Sequence, residues 1–295
     1  MTGDGTSATV ITPALLRSWP LPVSQNHKDD RGRGLVVGGS VANPGAALLA
    51  ARAAMRAGVG KVRLVVPDPV AVPLAVAFPE SAVHGAPCTS EGNLDASASP
   101  VVRGVAGEVD AALLGPGMLS PDSAVAVMEA VAPDLRGTIV LDALALAWLT
   151  EDPTRGRQFD SLVLTPNVSE LGITLGEDPE AVEEDVPAAV CRLAELTGAV
   201  VCTGSHRTWI ATPEGQLWRS DEGNPGLGVS GSGDVMAGIV LGLCACGAEP
   251  GQAAAWAAYL HGTIGGRLAS RYGSTGFLAS ELAREIPQAL LEIGV

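Results

Sequence analysis

Aromatic residues are scarce in this chain: phenylalanine, tyrosine and tryptophan make up 3% of its 295 residues. A close-packed interior must then come from Ala, Val, Leu and Gly. Lysine is nearly missing too, since among 18 basic residues only Lys28 and Lys61 are not arginine. Against them stand 32 acidic side chains and a net charge of -14, which argues against a nucleic-acid partner, because that needs a basic face to neutralise phosphates. Long apolar runs are absent. The stretches 45–60 and 239–246 are interrupted by arginine or too short for the 18 or so residues of a membrane span. Residues 1–18 lack the basic and apolar segments of a secretion signal, so the expected location is the cytoplasm. Without that signal, Asn167-Val168-Ser169 is discounted as a glycosylation acceptor. The five cysteines (Cys88, Cys191, Cys202, Cys244, Cys246) are scattered and odd in number, which gives neither a disulfide framework nor a zinc spacing. They read as small packing residues.

What is present is a 47% hydrophobic, 17% charged chain of globular type. Short β-branched runs at 34–37, 62–66, 111–114, 139–141, 162–164 and 200–202 are apolar at nearly every position, as in a parallel sheet covered on both faces. Helices are expected at 44–57, 121–131, 179–197, 234–246, 251–271 and 279–293, several opening on proline, whose missing N–H costs nothing in the first turn. Residues 208–211 and 216–219, joined by Pro213-Glu214-Gly215, read as a hairpin. The sum is an α/β fold of three layers, αβα, with a mostly parallel central sheet. Residues 27–295 form a single domain behind an N-terminal extension, 1–26.

The densest chemical signal is Gly223-Asn224-Pro225-Gly226-Leu227-Gly228-Val229-Ser230-Gly231-Ser232-Gly233-Asp234, followed at once by an apolar helix. Glycines allow backbone N–H groups to turn inward, and a helix N-terminus adds partial positive charge; together they hold phosphate. Asp234 at its mouth can accept a proton from a substrate hydroxyl. Gly226, Gly228 and Gly231 also fit a dinucleotide fingerprint, but that motif follows a strand directly, and 221–225 reads as a turn. A third reading makes Asp234 only a helix N-cap.

The ordered set of motifs resembles the ADP-dependent NAD(P)H-hydrate dehydratases, members of the ribokinase-like superfamily. It comprises His27-Lys28-Asp29-Asp30-Arg31-Gly32, Gly38-Gly39-Ser40, Arg56-Ala57-Gly58-Val59-Gly60, Gly115-Pro116-Gly117, Leu164-Thr165-Pro166, Gly231-Ser232-Gly233-Asp234 and Tyr259-Leu260-His261-Gly262. The resemblance implies a ribokinase-like fold and a lyase that restores NADH or NADPH from its hydrate (NADHX or NADPHX). ADP, or ATP, would donate a phosphoryl group to the ring hydroxyl, with Mg2+ as cofactor. By the same resemblance Ala46, Gly117, Asn167 and Asp234 would touch the hydrated dinucleotide, with Asp234 catalytic. Thr203, Gly204, Ser205, His206 and Arg207, with Gly231, Ser232 and Gly233, would hold the adenine nucleotide. It further implies a homo-oligomer, a tetramer in the family. The epimerase domain often fused in this family has no counterpart in residues 1–26, so a separate epimerase is a possible partner.

Three positions depart from the family pattern. Thr203 replaces the lysine of its K-G segment, and Arg207 is the candidate substitute, although the two cations differ in geometry. Asn167 replaces a histidine, and Leu144 removes one carboxylate of a D-A-D segment. These departures keep two other readings open: an ATP-dependent hydroxyl kinase on the same scaffold, and a nucleotide-binding sensor without catalysis. Asp142, at a strand end, is a ligand or a turn residue. Glu170 is the candidate metal residue, through water, or else a charge at a helix start. His27, Lys28, Arg31 and Arg33 form a basic cluster suited to phosphates or to solvent. Arg52 and Arg56, at i and i+4, are expected in surface salt bridges. His261 is expected to pack.

Overall fold

The computed structural model describes residues 8–22, 31–204 and 207–294. Ten strands make one sheet: β1 (Thr9–Val10), β2 (Arg33–Val37), β3 (Lys61–Pro67), β4 (Ala82–Ala86), β5 (Ala111–Leu114), β6 (Thr138–Leu141), β7 (Leu162–Leu164), β8 (Val200–Thr203), β9 (Thr208–Ala211) and β10 (Leu217–Ser220). Their order is β1-β10-β9-β8-β7-β6-β5-β2-β3-β4. Only β9 runs against its neighbours, β8 and β10; every other pairing is parallel. The expected hairpin is therefore β9–β10, with Leu217 opposite Ala211.

Among the described residues twelve α-helices cover the faces: α1 (Pro13–Ser18), α2 (Gly45–Arg56), α3 (Asp68–Ala77), α4 (Ser99–Ala106), α5 (Pro121–Val131), α6 (Ala147–Thr150), α7 (Val168–Leu175), α8 (Pro179–Glu184), α9 (Val186–Thr197), α10 (Ser232–Ala245), α11 (Pro250–Tyr272) and α12 (Ala279–Ile293). Alternate strand residues serve two cores. Val36, Leu64 and Leu113 pack with α2, α10, α11 and α12. Leu35, Val65 and Leu114 pack with α4, α5 and α9 on the other face. This period-2 sharing explains why the strands are apolar at successive positions.

The expected helix 179–197 divides at Asp185, whose carboxylate caps α9 by accepting from Ala188 N at 3.2 Å. Sheet order reverses between β2 and β5. Such a switch point opens a crevice at the C-terminal strand ends, where α/β sheets take ligands. The loops leaving these strands carry Gly38-Gly39-Ser40 and Gly115-Pro116-Gly117.

Candidate active site

The two loops at the switch point are locked together. Gly39 N donates to Pro116 O at 2.7 Å, and Gly117 adopts φ +75°, where a Cβ would lie 2.6 Å from Asn43 O and 3.0 Å from the Ala46 Cβ. Glycine is required there on both counts. Ala46 and Gly117, expected to touch one ligand, are thus neighbours.

The glycine-rich segment enters from the hairpin. β10 ends at Ser220, and Pro225–Gly228 form a single 3-10 turn before the helix. No strand leads directly into the glycines, which removes the dinucleotide-fingerprint reading. Gly231, at φ +89°, is the N-cap of α10 and offers no side-chain acceptor. Ser232 N donates to Val229 O at 3.1 Å; the N–H groups of Gly233 and Asp234, in the first turn, lack intrahelical partners and are the anion donors. Asp234 is the third residue of the helix, not its cap. The helix start is fixed from below: the Ser232 hydroxyl lies 2.9 Å from His261 Nε2, and His261 is buried. Burial holds this imidazole down at about 4, so it stays neutral, as expected for a packing histidine.

Three carboxylates converge beside the glycines. Asp142, at the end of β6, is buried and accepts from the Thr165 hydroxyl at 2.8 Å. Burial, with the nearby charge of Asp234, pushes it up to about 8. Ala143, which follows, is the one non-glycine with positive φ (49°) among the described residues, a strained conformation of the kind that gathers at functional sites. Burial, then the charge of Glu170, raises Asp234 to about 6. Burial raises Glu170 too. Glu170 and Asn167 form a capping box at the start of α7: Glu170 N donates to Asn167 Oδ1, and Asn167 N donates to Glu170 Oε2, both at 2.9 Å.

The loop also walls a cavity of about 460 Å³. Gly233, Asn224, Gly204, Thr208, Asn167 and His261 are among its walls. One observation fits it to a nucleotide. A Cβ on Gly233 would meet nothing within 4 Å, so this glycine leaves room for a ligand, not for protein. Asn224 shapes the wall: its Oδ1 accepts from Gly226 N at 3.1 Å and its Nδ2 is buried against Gly265 of α11. No group of three His, Cys, Asp or Glu among the described residues is arranged to hold a metal ion. Glu170, the candidate metal residue, has one carboxylate oxygen taken by Asn167 N in the capping box.

Of the segment 203–207, Gly204 alone lines the cavity among the described residues; Ser205 and His206 lie outside them. Thr203 is fully buried, its hydroxyl without a partner. Arg207 forms an ion pair with Asp221 at 3.2 Å. The basic cluster needs correction: Arg31 and Arg33 flank the start of β2, the end of the sheet opposite the glycine-rich loop, while His27 and Lys28 lie outside the described residues. Strand direction decides this, and local sequence does not carry it. The expected salt bridges of Arg52 and Arg56 are not formed among the described residues. Arg52 instead donates to Ala77 O at 2.6 Å and stacks on Phe78.

A sequence profile of NAD(P)H-hydrate dehydratase matches residues 34–288. The chain belongs to this family. The ADP-dependent (S)-NAD(P)H-hydrate dehydratase of Xanthomonas campestris pv. campestris is 39% identical over 97% of both chains. The bifunctional NAD(P)H-hydrate repair enzyme of Moorella thermoacetica is 38% identical over 95% of this chain and 53% of its own length. Among solved structures, the ADP/ATP-dependent NAD(P)H-hydrate dehydratase of Bacillus subtilis, co-crystallised with ATP and Mg2+, superposes with a TM-score of 0.85. It is 26% identical and covers 98% of this chain and 100% of that one. The ribokinase-like fold expected from sequence is thus the observed one; a ribokinase-like superfamily protein of Enterococcus faecalis shares it at TM-score 0.81, with 22% identity over 99% of this chain and 98% of that one. Thr165, Asn224 and Thr208 also line the cavity beside the glycines, and the sequence left them unassigned. Asn224 was readable, lying inside the glycine-rich run.

Proposed function

We propose that this protein is an ADP-dependent (S)-NAD(P)H-hydrate dehydratase, a carbon–oxygen lyase that repairs damaged nicotinamide nucleotides. Full-length similarity to a dehydratase of that name carries the reading, and the site supplies its chemistry. The hydrated ring sits near Ala46 and Gly117, and the adenine nucleotide occupies the cavity beyond Gly233. Asp234 accepts the proton of the ring hydroxyl as that oxygen attacks the terminal phosphorus of ADP; the new O–P bond forms as the bond to AMP breaks. The ring nitrogen's electron pair then expels phosphate, and loss of a proton from the adjacent carbon leaves NADH or NADPH.

The carboxylates divide the work by environment. Asp234, near 6, is ionised at neutral pH yet more basic than an ordinary carboxylate. Asp142, near 8, is protonated and adds no second negative charge beside the phosphates. The first-turn N–H groups of α10 stabilise the transferring phosphoryl group. Mg2+, bound with the nucleotide, would neutralise phosphate charge. Asn167 lies at the boundary of the cavity, where its amide NH2 is available to the dinucleotide. We further propose that the enzyme works in the cytoplasm as a homo-oligomer and cooperates with an epimerase. The test is incubation with chemically hydrated NADH and ADP. Return of the reduced-nicotinamide absorbance, with AMP and phosphate released, supports the reading. Phosphorylation of a vitamin alcohol without such turnover would establish the hydroxyl kinase instead.

A further inference from the structure

Away from the glycine-rich loop, a cavity of about 530 Å³ opens between α2, the end of α3 and α12. Arg52, Arg56 and Arg284 all line it. In a chain with net charge -14, half of the sixteen arginines pair with carboxylates among the described residues, Arg63 with Glu108, Arg103 with Asp134, Arg192 with Glu177 and Arg271 with Glu285 among them. These three do not. Among the described residues none forms an ion pair. Arg52 is half-buried and held in place by the Ala77 carbonyl and the Phe78 ring, 5.6 Å from its centroid. Arg56 and Arg284 are exposed. One carboxylate, Glu80, shares the cavity, so the local balance is three positive charges to one negative. The Ser280 hydroxyl adds a neutral donor to the same wall.

We propose that this cavity is a second anion site, which takes a phosphate group carried by a small metabolite. Three guanidinium groups from two helices meet what such a group needs, because planar forks pair with phosphate oxygens two at a time. Electrostatics favour the assignment: an unsatisfied cationic cluster in an acidic protein draws anions that the rest of the surface repels. The site is distinct from the loop but touches its support. A Cβ on Gly231 would lie 2.5 Å from Leu49 Cδ1 and 3.2 Å from the Ala279 Cβ. Leu49 is one turn before Arg52 on α2, and Ala279 precedes Ser280. Two sources share the chemistry: the 2′-phosphate that distinguishes NADPH from NADH, and a separate phosphorylated effector.

The experiment is calorimetric titration with sodium pyrophosphate at low salt, in the parent, in Arg56→Ala/Arg284→Ala, and in Gly233→Val. The parent should show two classes of site. The double variant should lose one of them by tenfold or more, while Gly233→Val keeps that one and loses the other. Unfolding temperatures should match the parent, since Arg56 and Arg284 are exposed and make no bond. Glu80→Gln should tighten the second site several-fold. Titration with NADP+ and NAD+ separates the sources. Weakening of NADP+ alone in the double variant assigns the site to the 2′-phosphate, and unchanged binding of both, with pyrophosphate lost, assigns it to an effector. An identical pyrophosphate titration in the parent and the double variant overturns the proposal. A failure of the dehydratase assay would leave this result standing, because no turnover enters it.

Discussion

The Ser232 hydroxyl and His261 Nε2 lie 2.9 Å apart beneath the first turn of α10. Neutral imidazole suits this place, and burial keeps it neutral down to about 4. The unfolded chain takes up a proton near the ordinary histidine value, so stability from this residue is full above about 6.5 and drains away as pH falls toward 4. The parent should therefore lose more unfolding temperature than His261→Gln between pH 6.5 and 4.5. Equal losses in both would remove His261 as the cause.

Asp142 behaves in the opposite sense. Its folded value is raised to about 8, so the folded state holds a proton that the unfolded chain has released, and stability falls as pH rises from about 4 to 8. Asp142→Asn keeps an acceptor for Thr165 and removes the cost of the buried acid. It should raise the unfolding temperature by several degrees at pH 8 and by almost nothing at pH 4. Thermal unfolding at the two pH values checks the sign.

Asp234→Asn should lower turnover roughly 10²–10⁴-fold, the usual worth of a general base. Affinity for ADP should hold within a few-fold, since Gly233 and Asn224 are unchanged. In the parent, kcat/KM should fall as pH drops through about 6, where Asp234 takes up its proton. The residual activity of the variant should lack that limb. A pH–rate profile of each, with direct titration of ADP, tests all three statements.

Two neighbouring glycines should fail differently. Gly233→Val projects into open space, so it should preserve the unfolding temperature within a degree or two and weaken ADP binding at least tenfold. Gly231→Ala meets Leu49 and requires φ +89°, a conformation that costs an L-residue about 1–2 kcal/mol before any clash. It should lower stability first. Comparing melting curves with ADP titrations for both variants distinguishes ligand space from protein space.

Thr203→Lys is expected to destabilise without tightening ADP. The residue is fully buried at the end of β8 and opposite Trp209, so an ammonium there loses its water. Thr203→Val should be neutral or slightly stabilising, because the hydroxyl it removes has no partner. A gain in ADP affinity from the lysine would show that its side chain reaches the cavity past Gly204.

Local patterns carried much of the fold. Strands β5 and β7 and helices α5 and α12 have the bounds their sequences suggest: an uninterrupted apolar run marks each strand, a leading proline α5, and the helical spacing of Leu282, Ala283, Ile286, Ala289 and Leu290 marks α12. Helix α3 was illegible: Asp68–Ala77 is apolar all round, with Pro73 inside, and shows no 3.6 period. Strand β4 carries Gly85 and His84, and its sequence gives no strand signal. In the site, Asp234 and its glycines were readable because they are contiguous. The convergence of Asp142, Thr165 and Glu170 was not, since it is made by sheet order: the ends of β6 and β7 are adjacent only because those strands pair. Arg33 shows the converse, a plausible phosphate ligand removed by the direction in which its strand runs.

Helix α10 meets α2 almost backbone to backbone. A Cβ on Gly238 would lie 2.2 Å from Ala50 O, and one on Gly242 2.6 Å from Ala54 O. Helices this close cannot slide to accommodate a ligand at their upper ends. The donors above them are therefore set before any phosphate arrives, and the entropy of ordering them is met during folding, not binding. A larger residue at Gly238 would separate the helices and loosen those donors, so a defect in phosphate capture could begin about 9 Å, six residues of helical rise, below the loop where it is felt.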